Sequence, residues 1–88
     1  MRRSIREFLK NIEIINFISR KKVSIAEMAR SLKIPYSTLY VRLHKLEKFG
    51  LIEFDYIYGK KTPKLTKLAE DLLNALEEVK EKEKLKLR

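Results

Sequence analysis

Between Tyr36 and Lys48 the chain carries Tyr36, Ser37, Thr38, Tyr40 and Val41, with no acidic side chain before Glu47. Hydroxyls, aromatic rings and a β-branched methyl are groups that hydrogen-bond base edges and pack on thymine methyls. An ordinary solvent-facing helix would show mostly Lys and Glu there, and the lack of carboxylates leaves the way open for phosphates. Read as a helix at about 100° per residue, with Leu39, Leu43 and Leu46 on the buried side, the segment sets Ser37, Tyr40, Val41, His44 and Lys48 opposite them. Tyr36, Thr38 and Lys45 flank that face, and one of the two tyrosines is expected to pack within its own domain. His44, the sole histidine, reads as a hydrogen-bond donor to phosphate or base. Arg42, at the edge of the core stripe, is expected to pair with Glu47 or to reach phosphate. Lys60 and Lys61, placed at the tip of a turn, suit a minor groove or its flanking backbone. Ser24 and the amides after it offer a further phosphate site.

The surrounding pattern supplies the elements that would hold these groups. Ser24 with Glu27 three residues on is a capping box, and Ile25, Met28, Ala29 and Leu32 follow at helical spacing, which predicts a helix of about two turns. Lys33 and Ile34 make a turn, and Pro35 starts the helix from about Tyr36 to Lys48. Gly50 stands where a left-handed cap costs least. Ile52, Phe54, Tyr56 and Tyr58 then alternate with Glu53, Asp55 and Ile57, the period of a half-buried strand. Tyr58 to Lys61 reads as a turn with a basic tip, and Thr62 to Leu65 as the returning strand. Pro63 confines that strand to a sheet edge. Val23 is expected to add a short first strand. Upstream, residues 4 to about 19 predict one helix with Ile5, Phe8, Leu9, Ile12, Ile15 and Ile18 on its core face. Ile14 and Phe17 fall off that stripe, toward the last helix or a partner subunit. Downstream, Thr66 is a plausible cap for a helix from Lys67 to about Lys84, with Leu68, Leu72, Leu76 and Val79 in one stripe. Beyond Val79 the alternating charges predict a solvated or fraying end.

Helix, turn, helix, then a short hairpin, from Ser24 to Leu65 with Leu65-Thr66 opening a last helix, resembles the winged helix-turn-helix family of transcription regulators. The phrase LEKFGLI, residues 46–52, is similar to the one that closes the recognition helix in that family. The resemblance implies a mainly α fold with a small β-hairpin, in the order helix, short strand, helix, helix, strand, strand, helix. It implies a DNA-binding unit over residues 1–66, with residues 67–88 as a dimerisation helix of the same single domain. The expected function is sequence-specific binding of double-stranded DNA by a homodimeric regulator, with the helix of Tyr36 to Lys48 in the major groove. The dimer contact is expected at Ile14, Phe17, Leu68, Leu72, Leu76 and Val79. The rival reading is a protein-interaction winged helix in transcription, replication or partition machinery. A binder of double-stranded RNA is a weaker third.

Charge favours the DNA reading. The formal net charge is +9, from 21 Lys+Arg against 12 Asp+Glu. Residues 1–64 hold 15 basic and 6 acidic side chains, a net of +9, and residues 65–88 hold 6 of each. All of the excess therefore lies on the part that would meet phosphate. With 88 residues, one domain is expected. There is no cysteine, hence no disulfide or thiolate chemistry. A nucleophile grouped with a histidine and a carboxylate, a glycine-rich phosphate loop and metal-ligand spacing are all missing from the pattern. The chain is therefore expected to be no enzyme, with no cofactor, no metal and no small-molecule effector. Charged residues interrupt the apolar N-terminal stretch, so neither a signal peptide nor a membrane span is expected, and the reading is cytoplasmic and DNA-associated. The lack of Gln, Trp and Cys beside many Lys, Glu and Ile resembles a thermophile composition, of archaeal or archaeal-virus type.

Overall fold

The computed structural model describes residues 2–86; Leu87 and Arg88, the end of the segment expected to fray, lie outside the described residues. The elements are α1 (Arg2–Lys10), α2 (Ile12–Arg20), α3 (Ile25–Leu32), α4 (Tyr36–Lys48), β1 (Ile52–Ile57), β2 (Lys60–Leu65) and α5 (Lys67–Lys86).

The single N-terminal helix read from the sequence is two. Asn11 breaks it with φ −118° and ψ 28°. Its side-chain Nδ2 donates to the Glu7 carbonyl at 2.9 Å, while its own N–H is shared between the Glu7 and Phe8 carbonyls at 3.2 Å each. An Asn side chain bonded to the backbone in this way offers the chain an alternative to a continuous helix. The break rotates α2 relative to α1 and changes which residues face inward. Ile14, expected to meet the last helix or a partner, is 1% exposed and belongs to the core with Ile15 and Ile18, where α2 packs against α5. Phe17 is half-buried and packs against that core. Leu9, expected in the core, is 53% exposed, and Ile5 is exposed as well.

α3 and α4 follow the sequence closely. The Glu27 N–H donates to Ser24 Oγ at 3.3 Å. Lys33 takes the left-handed conformation, φ 57°, that lets the chain turn between the helices. Leu39, Leu43 and Leu46 of α4 are fully buried. Each removes enough apolar surface from water to contribute about 1.5–3 kcal/mol. Gly50 has φ +73°.

β1 and β2 form a two-stranded antiparallel hairpin, Ile52 opposite Leu65 and Ile57 opposite Lys60. The turn is only Tyr58–Gly59, both at positive φ, 52° and 75°. That is the primed turn whose twist matches the strands. Lys60 and Lys61 are therefore the first residues of β2, not the tip. Pairing in an antiparallel ladder alternates outward from the closing pair, so Phe54 and Pro63 form a non-hydrogen-bonded pair. The N–H that Pro63 lacks would have pointed away from β1. Val23 does not form the expected strand. The Lys21 N–H still bonds the Phe17 carbonyl and the Ser24 carbonyl already receives the Met28 N–H. Only two residues remain between the helices, too few for a ladder.

Thr66 joins α5 to the rest. Its Oγ1 donates to the Gly50 carbonyl at 2.7 Å and accepts the Ala69 N–H at 3.3 Å. Ala69 is fully buried, and Leu68, Leu72, Leu73 and Leu76 pack half-buried on the same core. From Glu77 to Lys84 every residue is exposed. No helix of the described residues is long and apolar enough to cross a membrane.

Candidate nucleic-acid interface

The outward side of α4 is set by its buried leucines. Ser37, Thr38, Tyr40, Val41 and Lys48 are exposed. Val41, 66% exposed, stands out because a β-branched apolar side chain gains nothing from water there.

The edge of α4 toward the hairpin is an aromatic ladder. The Tyr36 and Tyr40 rings lie 6.1 Å apart. Tyr40 meets His44 at 4.3 Å, and His44 stacks on Phe54 of β1 at 5.0 Å. Neither tyrosine enters the core; both are exposed, and Tyr40 packs within the domain against Tyr36, His44 and Lys61. His44 is therefore not the free donor expected from sequence. Its Nε2 lies 3.1 Å from Lys61 Nζ and its Nδ1 3.3 Å from Glu47 Oε1. One neutral tautomer satisfies both contacts, with Nδ1–H donating to the carboxylate and Nε2 accepting from the ammonium. Lys61 Nζ also stands 4.6 Å from the Phe54 ring centre and 5.5 Å from that of Tyr40.

The opposite edge of α4 faces α1. Arg42 is not paired with Glu47 among the described ion pairs: its Nε donates to Asn11 Oδ1 at 3.1 Å. Lys45 Nζ lies 3.3 Å from Oε1 of the buried Glu7. The sequence alone points Lys45 to DNA and Arg42 to phosphate or Glu47. A buried carboxylate is costly without a counter-charge, and α1 draws Lys45 to that task. Glu7 and Asn11, spaced four apart on one side of the first helical stretch, were the sequence signal for this network.

A cleft of about 250 Å³ brings Ser24 and Arg30 of the α3 region together with Tyr36, Lys60 and Lys61. Arg30 was missed from sequence, since nothing local distinguishes it from any exposed helical arginine. Two further exposed side chains were not singled out either: Tyr56 on β1 and Tyr58 in the turn, the latter 99% exposed. Among the described residues no three His, Cys, Asp or Glu side chains are grouped to hold a metal ion.

The fold is similar to that of a solved protein from Mycobacterium bovis. That structure is the homodimeric winged helix-turn-helix DNA-binding domain of Mb0332, a possible ArsR-family transcriptional regulator, and it is similar to this chain with a TM-score of 0.72. The likeness covers 97% of this chain and 84% of that one, at 19% sequence identity. The fold is a winged helix-turn-helix. α3 and α4 are its helix pair, and the β1–β2 hairpin is the wing. The sequence matches no protein-family model and no curated protein.

Proposed function

We propose that this protein binds double-stranded DNA as a homodimeric transcriptional regulator, with α4 in the major groove and the wing against the minor groove or backbone. The observation that carries this reading is the open face of α4, where Ser37, Thr38, Tyr40 and Val41 stand exposed. Hydroxyl, ring and methyl groups without a carboxylate are what base edges accept. The +9 charge confined to residues 1–64 supports it. Within the reading, Ser24, Tyr36, Lys48 and Lys60 are phosphate or flanking contacts, while Arg42 and Lys45 act through α1. α5 is the dimerisation element. Leu68, Leu72 and Leu76 are shared between the domain core and the partner, and Val79, 56% exposed, is the member most open to a second copy. The Mycobacterium bovis domain is homodimeric, which supports a dimer in general.

The test is binding of the whole chain to random duplex DNA and duplex RNA at 50 and 200 mM salt. If a dimer neutralises about 6–10 phosphates, DNA affinity falls by roughly 10³–10⁵ across that range. Ser37→Ala lowers discrimination among DNA sequences. Absence of DNA binding at the lower salt, or equal preference for RNA, refutes the proposal.

A further inference from the structure

Lys60 and Lys61 are adjacent cations on the wing, yet the strand sends them to opposite faces. Lys60 is exposed. Lys61 is half-buried, with its ammonium donating to His44 Nε2 at 3.1 Å and lying over the Phe54 and Tyr40 rings. No carboxylate lies within 4 Å of Lys61 among the described ion pairs. Asp55 is turned to the other face of the hairpin, held by Lys64 at 3.4 Å and Lys22 at 3.9 Å. Glu47 reaches Lys61 only through the His44 ring.

A two-stranded hairpin has little stability of its own, so contacts with the body decide the angle at which it stands. On the α4 side, those contacts are the His44–Phe54 stack and the Lys61 ammonium. A cation over an aromatic face is attracted by the ring's negative face, and that attraction biases the wing toward one angle. An ammonium has three donors, and only one is used by His44.

We infer that Lys61 is a positioning residue that clasps the wing to α4 and so helps to set which DNA sequences are preferred, whereas Lys60 is a sequence-neutral phosphate contact. The inference rests on the duplex-DNA reading above. With the wing held at one angle, α4 can sit in the groove in only one pose. Released, the wing allows several poses, and the ranking of sequences changes rather than merely weakening.

The experiment compares bound fragments selected from a random duplex pool by the native chain and by Lys60→Ala, Lys61→Met, Lys61→Arg and His44→Phe. Lys60→Ala lowers affinity for all duplexes by a common factor and leaves their ranking intact. Lys61→Met and His44→Phe, the latter keeping the stack but losing the acceptor, reorder the ranking in the same way, and the double variant adds nothing further. Lys61→Arg, which keeps a donor and a stacking cation, restores the native ranking. In the DNA-free chain, ring currents move the Lys61 Hε resonance upfield of those of the other lysines, and His44→Phe displaces it. A common-factor loss for Lys61→Met, with the ranking unchanged, overturns the inference while leaving the function standing. So does a Lys61 Hε resonance like that of an exposed lysine. A native chain that binds no duplex at all removes the function and the specificity role together.

Discussion

Asn11→Ala is the most informative single change to the scaffold. Asn11 is buried, and its side chain makes two well-formed hydrogen bonds: Nδ2 to the Glu7 carbonyl at 2.9 Å and Oδ1 from Arg42 Nε at 3.1 Å. A third, longer contact joins Nδ2 to Glu7 Oε2 at 3.4 Å. A hydrogen bond contributes about 0.5–1.5 kcal/mol net, and a buried group left unpaired costs about 1–3 kcal/mol. Arg42 is only half-buried, so its Nε recovers water. The Glu7 carbonyl keeps the shared Asn11 N–H. Alanine also favours helix and would tend to fuse α1 with α2 against the core. Together these place the loss at about 2–3 kcal/mol. For a domain of this size, that lowers the melting temperature by roughly 8–24 °C, at about 4–8 °C per kcal/mol. Denaturant unfolding followed by circular dichroism reads the free energy directly. Asn11→Asp is the control. It keeps an acceptor for Arg42 but loses the donor and sets a second carboxylate beside Glu7, so it is also destabilising. A loss under about 0.5 kcal/mol for Asn11→Ala would mean that the polar network does not hold the break.

Three other changes test separate parts of the fold and assembly. Tyr58→Asn places at φ 52° a residue that tolerates the left-handed region, at a position 99% exposed, so no packing is lost; it stabilises the domain by about 0.5–1 kcal/mol in denaturant titration. A destabilised variant would show that the exposed ring is held by a contact. Gly50→Ala meets nothing within 4 Å but keeps φ +73°, so it costs about 1 kcal/mol through backbone strain alone; a neutral result would count against the left-handed cap. Val79→Glu, at a 56% exposed site, leaves the melting of the isolated domain nearly unchanged but shifts sedimentation from dimer to monomer, and a native chain that sediments as a monomer at micromolar concentration refutes the α5 dimer.

The helix-turn-helix was legible because its determinants are local. Ser24 and Glu27, the leucines of α4 and the Gly50 stop all act within one or two turns of helix; the structure forms the Ser24 half of the capping box and places the leucines and Gly50 as read. The break at Asn11 was not legible from apolar periodicity. Residues 4–19 do fit one helical stripe, but a polar pair inside that stripe outweighs it once Arg42, 31 positions away, supplies a partner. The error then propagated by rotation. Ile14 was read as outward and Leu9 as inward because a continuous helix fixes their relative angle, and the break changes it. The missing strand at Val23 has a different cause: the cap bonds of α2 and α3 use up the chain on either side.

The same distinction applies to the candidate site. The exposed face of α4 needs only the helical angle and the position of the leucines, so Ser37, Thr38, Tyr40, Val41 and Lys48 emerge where sequence places them. Arg42, His44 and Lys45 sit on the two edges of that face, and an edge residue is claimed by whatever packs beside it. α1 claims Arg42 and Lys45 through Asn11 and Glu7, while the wing claims His44 through Lys61 and Phe54. Counting charge treats Lys60 and Lys61 as one basic patch, but a two-residue turn starts β2 at Lys60 and the alternation of the strand then separates them. The consequence is that the cations available to an anion on this surface are fewer than the net charge implies. Those withdrawn from it are the ones that hold α4 between α1 and the wing, so the rigidity of the exposed α4 face and its charge draw on the same side chains.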